Sequence, residues 1–459
     1  MHRCVTLAAA LAAVCSAPAA VGTRTQPPKQ QVLPPEARYW MGATTGAGML
    51  AMSAMASGGQ PSMGDLMRMG MNGPPSEGHS VELRLGSSLP AGSQGPEAFH
   101  TMPPGAQVNK PIFLHTPTVA ASGPDAPAGY KVPKGQITFY WGCGETAGPG
   151  QPVVLTFDKL MRGENDEELS ALQGSVTARE VRKPTPGTSK TYGEWPHPDP
   201  QRQNRDLKAG FPTGSTLSGQ HVIESTYAPG IEFTLPEGKS FMEAVRYTSS
   251  GVLPSGGVKV AWRAVTRASG YSLGVMAPER ANDDTANIVM WSSASRPATF
   301  IQMEDLTPAE VARLIGLNAV LPPSATECAV PAEVVKATKE GSMLMLTAFG
   351  DEATFIHPPR PADPAVTWDQ EWFARVSFKS TRMDMITPQG VRDLLGGGVT
   401  TDAAADPPPE AMSDEEYCKA LEAKRKQQSA GGGLSGRLLG RVMRGKQKEE
   451  PVDPRCVKK

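Results

Sequence analysis

Residues 258–275 have the sequence VKVAWRAVTRASGYSLGV, and this stretch sets the interpretation of the whole chain. On each side of the small-residue segment Ala268-Ser269-Gly270, apolar side chains occupy every second position. They are Val258, Val260, Trp262, Tyr271, Leu273 and Val275. A repeat of two is typical of a β-strand with one buried face, because successive side chains point to opposite sides. The stretch therefore predicts two strands joined by a turn.

The same alternation recurs in both directions along the chain. Its members are Val81, Leu83 and Leu85; Ile137, Phe139 and Trp141; Val153, Leu155 and Phe157; Ile231, Phe233 and Leu235; Ile288–Trp291; Leu344, Leu346 and Ala348; and Trp372, Ala374, Val376 and Phe378. The 48 glycines and 44 prolines argue against an all-helical bundle, where these residues destabilise most. We predict a mainly β fold with two or three antiparallel β-sandwich-like units, short helices and a helical C-terminal tail.

The strand ending at Trp262 and the strand opening at Gly270-Tyr271 resemble those of fibronectin type III and immunoglobulin-like β-sandwiches. The resemblance covers about residues 230–305 and rests on the Trp–Tyr pair and the strand spacing. It implies a fold and no activity, because such sandwiches carry many unrelated functions.

Shifts in composition divide the chain into seven predicted segments. They are a signal peptide at 1–20, a Pro- and Met-rich segment at 21–78, a first β unit at 79–161, a polar Pro-rich insertion at 162–218, a second β-sandwich unit at 219–305, a short helix and third β region at 306–399, and a linker with a charged helical tail at 400–459.

Three short helices are predicted within or beside these β units. Thr307-Pro308-Ala309-Glu310 forms a capping box with proline at the first helical position. Thr387-Pro388 opens a second helix at 388–396. The methionine and alanine content of residues 40–57 favours a third helix, packed on the body of the protein.

The N-terminus predicts export. A positive start precedes the apolar run VTLAAALAAV at residues 5–14, and small residues follow, with cleavage expected near Ala19 or Ala20. A buried N-terminal helix and a lipid anchor on Cys15 are the alternatives. No asparagine begins an Asn-x-Ser/Thr acceptor, which favours a bacterial envelope or periplasm. Disulfides persist in that compartment.

Four cysteines remain after removal of a signal peptide: Cys143, Cys328, Cys418 and Cys456. Four cysteines allow three pairings. We predict Cys143–Cys328 within the folded body and Cys418–Cys456 in the tail. No pair has CxxC spacing, which argues against a thioredoxin-like or zinc site.

Eight methionines lie between residues 41 and 71. Met67, Met69 and Met71 occupy alternate positions and are candidate ligands for copper(I), because thioether sulfur is a soft donor. The alternative is ordinary packing, since methionine fills irregular gaps in apolar cores. Apart from copper, no cofactor is expected.

The tail at 434–444 has apolar residues at helical spacing with arginines near the other side. The candidate contact residues are Arg437, Leu438, Arg441, Val442 and Arg444. Such a helix lies on an anionic membrane surface or docks an acidic envelope partner. A solvated tail is the third possibility, because Gly433, Gly436 and Gly440 weaken any helix.

Other candidate sites are sparse. His79, His100 and His115 would meet if the first β unit folds them together; the alternative is histidines that are exposed or hydrogen-bonded. Tyr192, Trp195 and His197 form either a ligand-binding loop or a loop that Trp195 holds in place. The formal net charge of −1 argues against a nucleic-acid partner. No nucleophile motif selects a catalytic residue.

These patterns favour an exported cell-envelope protein with a non-enzymatic binding or scaffolding role. The alternatives are an enzyme on a β-scaffold with a site near 162–218, and a Met-rich copper-binding protein.

Overall fold

The computed structural model describes residues 30–50, 77–93, 95–117, 134–157, 176–196, 210–212, 214–282, 285–298, 301–337 and 342–392. Several predictions fall outside these residues and stay predictions. They concern the signal peptide, Met67, Met69, Met71, His197, Cys418, Cys456, Arg437, Leu438, Arg441, Val442 and Arg444.

The fold is mainly β, as predicted, with few short helices. The strands are β1 (Ala37–Gly48), β2 (Gly78–Ser87), β3 (Ala98–Thr101), β4 (Ile112–Phe113), β5 (Lys134–Trp141), β6 (Val153–Thr156), β7 (Thr191–Trp195), β8 (Gly210–Phe211), β9 (Gly219–Ser225), β10 (Ile231–Leu235), β11 (Tyr247–Val252), β12 (Val258–Trp262), β13 (Gly270–Asn282), β14 (Thr285–Ser292), β15 (Glu327–Val330), β16 (Ser342–His357), β17 (Trp372–Thr387) and β18 (Gly390–Arg392). The helices are α1 (Pro308–Gly316) and α2 (Ala332–Ala337), with 3-10 turns at Pro104–Ala106, Pro186–Thr188 and Ile301–Met303.

One large sheet of eleven strands dominates the molecule. Its order is β6-β5-β14-β13-β16-β17-β1-β2-β7, with β18 beside β17 and β8 beside β2. A four-stranded sheet has the order β10-β9-β3-β4, and a three-stranded sheet has the order β11-β12-β15. Strands from all three predicted β units share the large sheet, so the predicted boundaries separate groups of strands along the chain but not separate sheets.

The strands between residues 230 and 305 are distributed over all three sheets. The two residues that carry the sandwich resemblance are in contact, since the rings of Trp262 and Tyr271 have centroids 5.5 Å apart. The backbone N–H of Val265 donates to the Tyr271 hydroxyl at 2.8 Å. The resemblance itself stays a prediction.

The predicted helix over residues 40–57 is wrong at its start. Residues 37–48 form β1, which pairs in parallel with β17 and antiparallel with β2 in the middle of the large sheet. Pairing on both sides outweighs the helical preference of methionine and alanine. Gly42 is required here, because a Cβ at this position would lie 2.4 Å from the Trp40 ring.

The predicted helix at 388–396 is also wrong over its described part. Strand β17 continues to Thr387 and turns back as β18. Gly390 sits in this turn with φ of 108°, a conformation that glycine adopts readily. The helix at Thr307 is confirmed: the Thr307 side chain caps the Glu310 N–H, and α1 begins at Pro308.

The two faces of the large sheet are covered differently. One face packs against the two smaller sheets in the main core, which contains Leu83, Val260, Leu344, Val376 and many others. The opposite face carries a smaller apolar cluster where α1 contributes Val311 and Leu314.

The predicted disulfide between Cys143 and Cys328 is confirmed. It joins the turn after β5, in the large sheet, to β15 in the three-stranded sheet. Within the described part of the chain, no helix is both long and apolar enough to cross a bilayer.

Candidate functional site

Strands β1 and β17 place charged side chains on the face that points away from the main core. Their parallel register sets Arg38 beside Phe373, Trp40 beside Arg375 and Thr44 beside Lys379. The residues between them, such as Tyr39 and Val376, belong to the main core. Period-two alternation therefore directs these cations to one face.

Two adjoining cavities lie on this charged face. The first has a volume of about 620 Å³ and the second about 450 Å³. They share Arg38, Glu180, Val181 and Arg182 in their walls. We call the two cavities together the arginine groove; its cationic lining residues are Arg38, Arg84, Arg179, Arg182, Lys183, Arg313 and Arg375.

Cationic side chains outnumber acidic ones in this lining. Three of the cations also pair with carboxylates outside the lining: Arg84 with Glu82, Lys183 with Asp305 and Arg375 with Glu352. The acidic lining residues are Glu36, Glu180 and Glu310. Two of them are neutralised locally: Glu180 lies 3.0 Å from Lys183, and Glu310 lies 2.5 Å from Arg313. Among the described residues, no carboxylate lies within 4.0 Å of the guanidinium of Arg38 or Arg182, and both side chains are exposed. These two arginines are therefore available to an external anion.

Beside the first cavity, two lysines pair with a shared carboxylate, and one of them lies over a tryptophan ring. Lys183 Nζ lies 4.7 Å from the centroid of the Trp40 ring, and Asp305 bridges Lys183 at 2.5 Å and Lys379 at 2.6 Å. Burial would raise the pKa of the Asp305 carboxyl, but Lys379 and Lys183 outweigh it and leave that pKa below its usual value. Asp305 is thus a charged anchor that fixes the two lysines.

Arg375 lines the second cavity and contacts one carboxylate and one aromatic ring. Its Nε lies 3.6 Å from Glu352 Oε2, and neither buried atom makes a hydrogen bond among the described residues. Its guanidinium lies 5.4 Å from the centroid of the Phe373 ring. Arg375 therefore has a carboxylate as counter-charge, although the pair lacks hydrogen-bond geometry.

A second polar feature is buried in the main core. Tyr39 Oη lies 2.7 Å from His100 Nδ1, and His100 Nε2 lies 3.0 Å from His221 Nδ1. His221 Nε2 donates to the Leu217 carbonyl at 2.7 Å. Because a carbonyl accepts and never donates, the proton positions follow along the chain: Tyr39 donates to His100, and His100 donates to His221.

Both histidines in this network are neutral. Burial, and then the neighbouring His221, hold the pKa of His100 well below its ordinary value. Burial lowers the pKa of His221 to about 4, although its bond to Leu217 opposes the shift. The network joins β1 of the large sheet to β3 and β9 of the four-stranded sheet, so its role is structural.

The structure does not bring the three predicted histidines together. His100 contacts Tyr39 and His221, whereas the ring of His79 stacks on Phe241 with centroids 4.3 Å apart. The ring of His115 contacts Phe113 at 5.0 Å. Strand β3 turns His100 into the core, where β9 supplies its partner.

The prediction that Tyr192 and Trp195 lie in a loop is wrong. Both residues lie in β7, paired with β2, and both are buried. The Tyr192 hydroxyl donates to Glu194 at 2.7 Å. Elsewhere in the 162–218 insertion, the described residues 179–185, 188 and 189 line the arginine groove.

Sequence reasoning missed the groove because its arginines are far apart in the chain. The available signal is the alternation across residues 37–48, which overlaps the helix predicted at 40–57. Within the described ranges, no three or more His, Cys, Asp or Glu side chains are placed to hold a metal ion. Comparisons with protein-family models, curated proteins and solved structures give no match to this chain.

Proposed function

We propose that the chain is an exported, non-enzymatic binding protein of the cell envelope, and that its arginine groove binds an anionic ligand. The observation that carries this proposal is the state of Arg38 and Arg182. Both line both cavities, both are exposed, and neither is ion-paired among the described residues.

The chemistry of the groove supports an anion with carboxylate or phosphate groups. A guanidinium offers a planar set of donors that matches these groups in bidentate fashion. The carboxylates of Glu180 and Glu310 act as internal counter-charges for Lys183 and Arg313, which keeps them from repelling the ligand strongly.

The shape of the groove supports a ligand with at least two anionic groups. Each cavity falls within the usual volume range of small-molecule sites. Arg38 and Arg182 stand where the cavities meet, Arg375 lies in one cavity and Arg84 in the other. Hydroxyl side chains of Ser88, Thr185 and Ser189 add neutral hydrogen-bonding partners in the larger cavity.

The proposal is tested by calorimetric titration of the full chain with tripolyphosphate and with a short oligogalacturonate. We expect binding that weakens as salt rises, because the contacts are electrostatic. The double variant Arg38→Gln/Arg182→Gln should bind at least about tenfold more weakly, since each charge-assisted hydrogen bond contributes about 1.5–3 kcal/mol.

Arg360→Gln is the matched control. Arg360 is exposed, stacks on Trp368 and lines neither cavity. Equal weakening by Arg360→Gln would show that general surface charge attracts these anions. Wild-type affinity in the double variant, or no binding of either anion to the wild-type chain, would overturn the proposal.

A further inference from the structure

A row of methionines crosses four neighbouring strands of the large sheet. Met290 on β14 pairs with Met276 on β13, Met276 pairs with Met343 on β16, and Met343 pairs with Met385 on β17. We call Met276, Met290, Met343 and Met385 the methionine row. Sequence reasoning did not find it, because the four residues come from three separate regions of the chain.

All four side chains point to the face opposite the main core. Their neighbours along the strands, Val275, Trp291, Leu344 and Ile386, are buried in that core. Successive side chains in a strand alternate between faces, so the methionines point away from it. Met343 is 36% exposed and the other three are half-buried. The row is therefore accessible from solvent.

The spacing of the row suits joint coordination by sulfur. Directly opposite residues on paired strands have Cβ atoms about 4.5–5.5 Å apart. The methionine side chain has three rotatable bonds, so neighbouring thioethers can turn toward a common point. Met345 and Met383, which pair with each other one step along the same face, provide further sulfur nearby.

The surroundings of the row disfavour hard cations. The described neighbours on the same face, two positions away along these strands, are Ile288, Ser292, Gly274, Met345, Met383 and Thr387. None of these residues carries a carboxylate, the group that magnesium and calcium prefer. Thioether donors instead select soft ions, of which copper(I) is the biological example.

We propose that the methionine row is a binding site for copper(I). The site is separate from the arginine groove, and it uses none of Met67, Met69 or Met71. Two or three thioether sulfurs of the row coordinate the ion, which enters from the exposed Met343 side. Coordination involves no change in oxidation state and releases no proton, because thioethers do not titrate.

The test is an anaerobic titration of the full chain with copper(I) in competition with bicinchoninate, and with silver(I) as a redox-inert substitute. Methyl-labelled methionine NMR identifies the sulfurs that bind. The row variant Met276→Leu/Met343→Leu/Met385→Leu keeps apolar volume but removes three sulfurs. We expect it to lose one bound equivalent, and we expect silver(I) to shift the methyl signals of the row in the wild-type chain.

Two control variants separate this site from other methionines. Met102→Leu removes a buried sulfur of the main core, and Met67→Leu/Met69→Leu/Met71→Leu removes the sulfurs predicted from the sequence. Both should keep the equivalent that the row variant loses. If the row variant is poorly folded, Met343→Leu alone should weaken that equivalent by about tenfold, as loss of a metal contact commonly does. Retention of full stoichiometry and affinity in a folded row variant would overturn the proposal.

Discussion

The two faces of strands β1 and β17 have the same backbone and opposite properties. On the inner face, Tyr39, Met41, Ala374 and Val376 are at most 1% exposed. On the outer face, Arg38 is exposed and Arg375 is partly exposed beside two cavities. An alternation of single residues therefore gives one side of the sheet buried apolar side chains and the other side charged, exposed ones.

This contrast has an energetic basis. Each large apolar side chain buried on the inner face contributes about 1.5–3 kcal/mol relative to exposure. Exposed ion pairs on the outer face contribute about 0–1 kcal/mol each. Substitutions of buried side chains on the inner face should therefore lower stability, whereas substitutions of exposed charges on the outer face should change it little.

The largest loss of stability is expected when the inner face of the large sheet is no longer linked covalently to the three-stranded sheet. Cys143→Ala/Cys328→Ala removes the disulfide between the large and the three-stranded sheets, whose cysteines are 185 residues apart. We expect the free energy of unfolding to fall by about 4 kcal/mol, because the unfolded chain loses a long-range constraint. Urea unfolding measures the change. Reductant should destabilise the wild-type chain by more than it destabilises the double variant; equal stability of the two proteins would contradict this.

Two adjacent residues on β16 allow the stability contributions of the two faces to be compared directly. Leu344 is fully buried on the inner face, and Met343 is 36% exposed on the outer face. Leu344→Ala should lower the free energy of unfolding by about 3 kcal/mol, because it leaves a cavity in the core. Met343→Ala should cost less than about 1 kcal/mol. Thermal or urea unfolding of both variants decides the matter, and similar losses would show that the outer face is as tightly packed as the inner one.

Acid should lower the free energy of unfolding, because His100 and His221 are buried in the main core in their neutral form. The pKa of His221 is about 4 in the folded protein and about 6.5 in an unfolded chain, so the unfolded state binds more protons below pH 6.5. Stability is therefore complete above pH 6.5 and falls as the pH drops toward 4. Between pH 7.5 and pH 5 the loss should be about 2 kcal/mol from His221, with a further loss from His100.

The measurement is urea unfolding across this pH range. In His221→Gln the slope of stability against pH should be smaller, whatever the absolute stability of the variant. His357→Gln is the control, because the His357 side chain is 50% exposed. A wild-type slope in His221→Gln would show that other groups cause the acid sensitivity.

The sequence predicted strands best where alternation was strict and flanked by turns. The runs around Val81, Ile231, Val258 and Trp372 all became strands, and the capping box at Thr307 opened α1. These signals are local, and they need no knowledge of the rest of the chain. Strand β1 was missed because its glycine, alanine and methionine content is unusual for a strand, and its pairing with β17 is a long-range property.

Both candidate sites depend on register between distant strands. The sequence contains Arg38, Arg182 and Arg375, but nothing local shows that they line one groove. The methionine row likewise forms only when β14, β13, β16 and β17 pair in their observed registers. The Cys143–Cys328 bridge could be predicted from the sequence because four cysteines allow only three sets of disulfide pairings.

The position of β1 also constrains the order in which the protein acquires its structure. Its parallel partner begins at Trp372, so this pairing joins segments that lie more than 300 residues apart in the chain. Until this pairing forms, β1 and β2 present an open edge, which is prone to pair with other chains. Such distant pairing slows folding and extends the exposure of that edge. The centre of the large sheet therefore depends on a long-range pairing, and a chain cut before β17 would leave that edge of β1 unpaired.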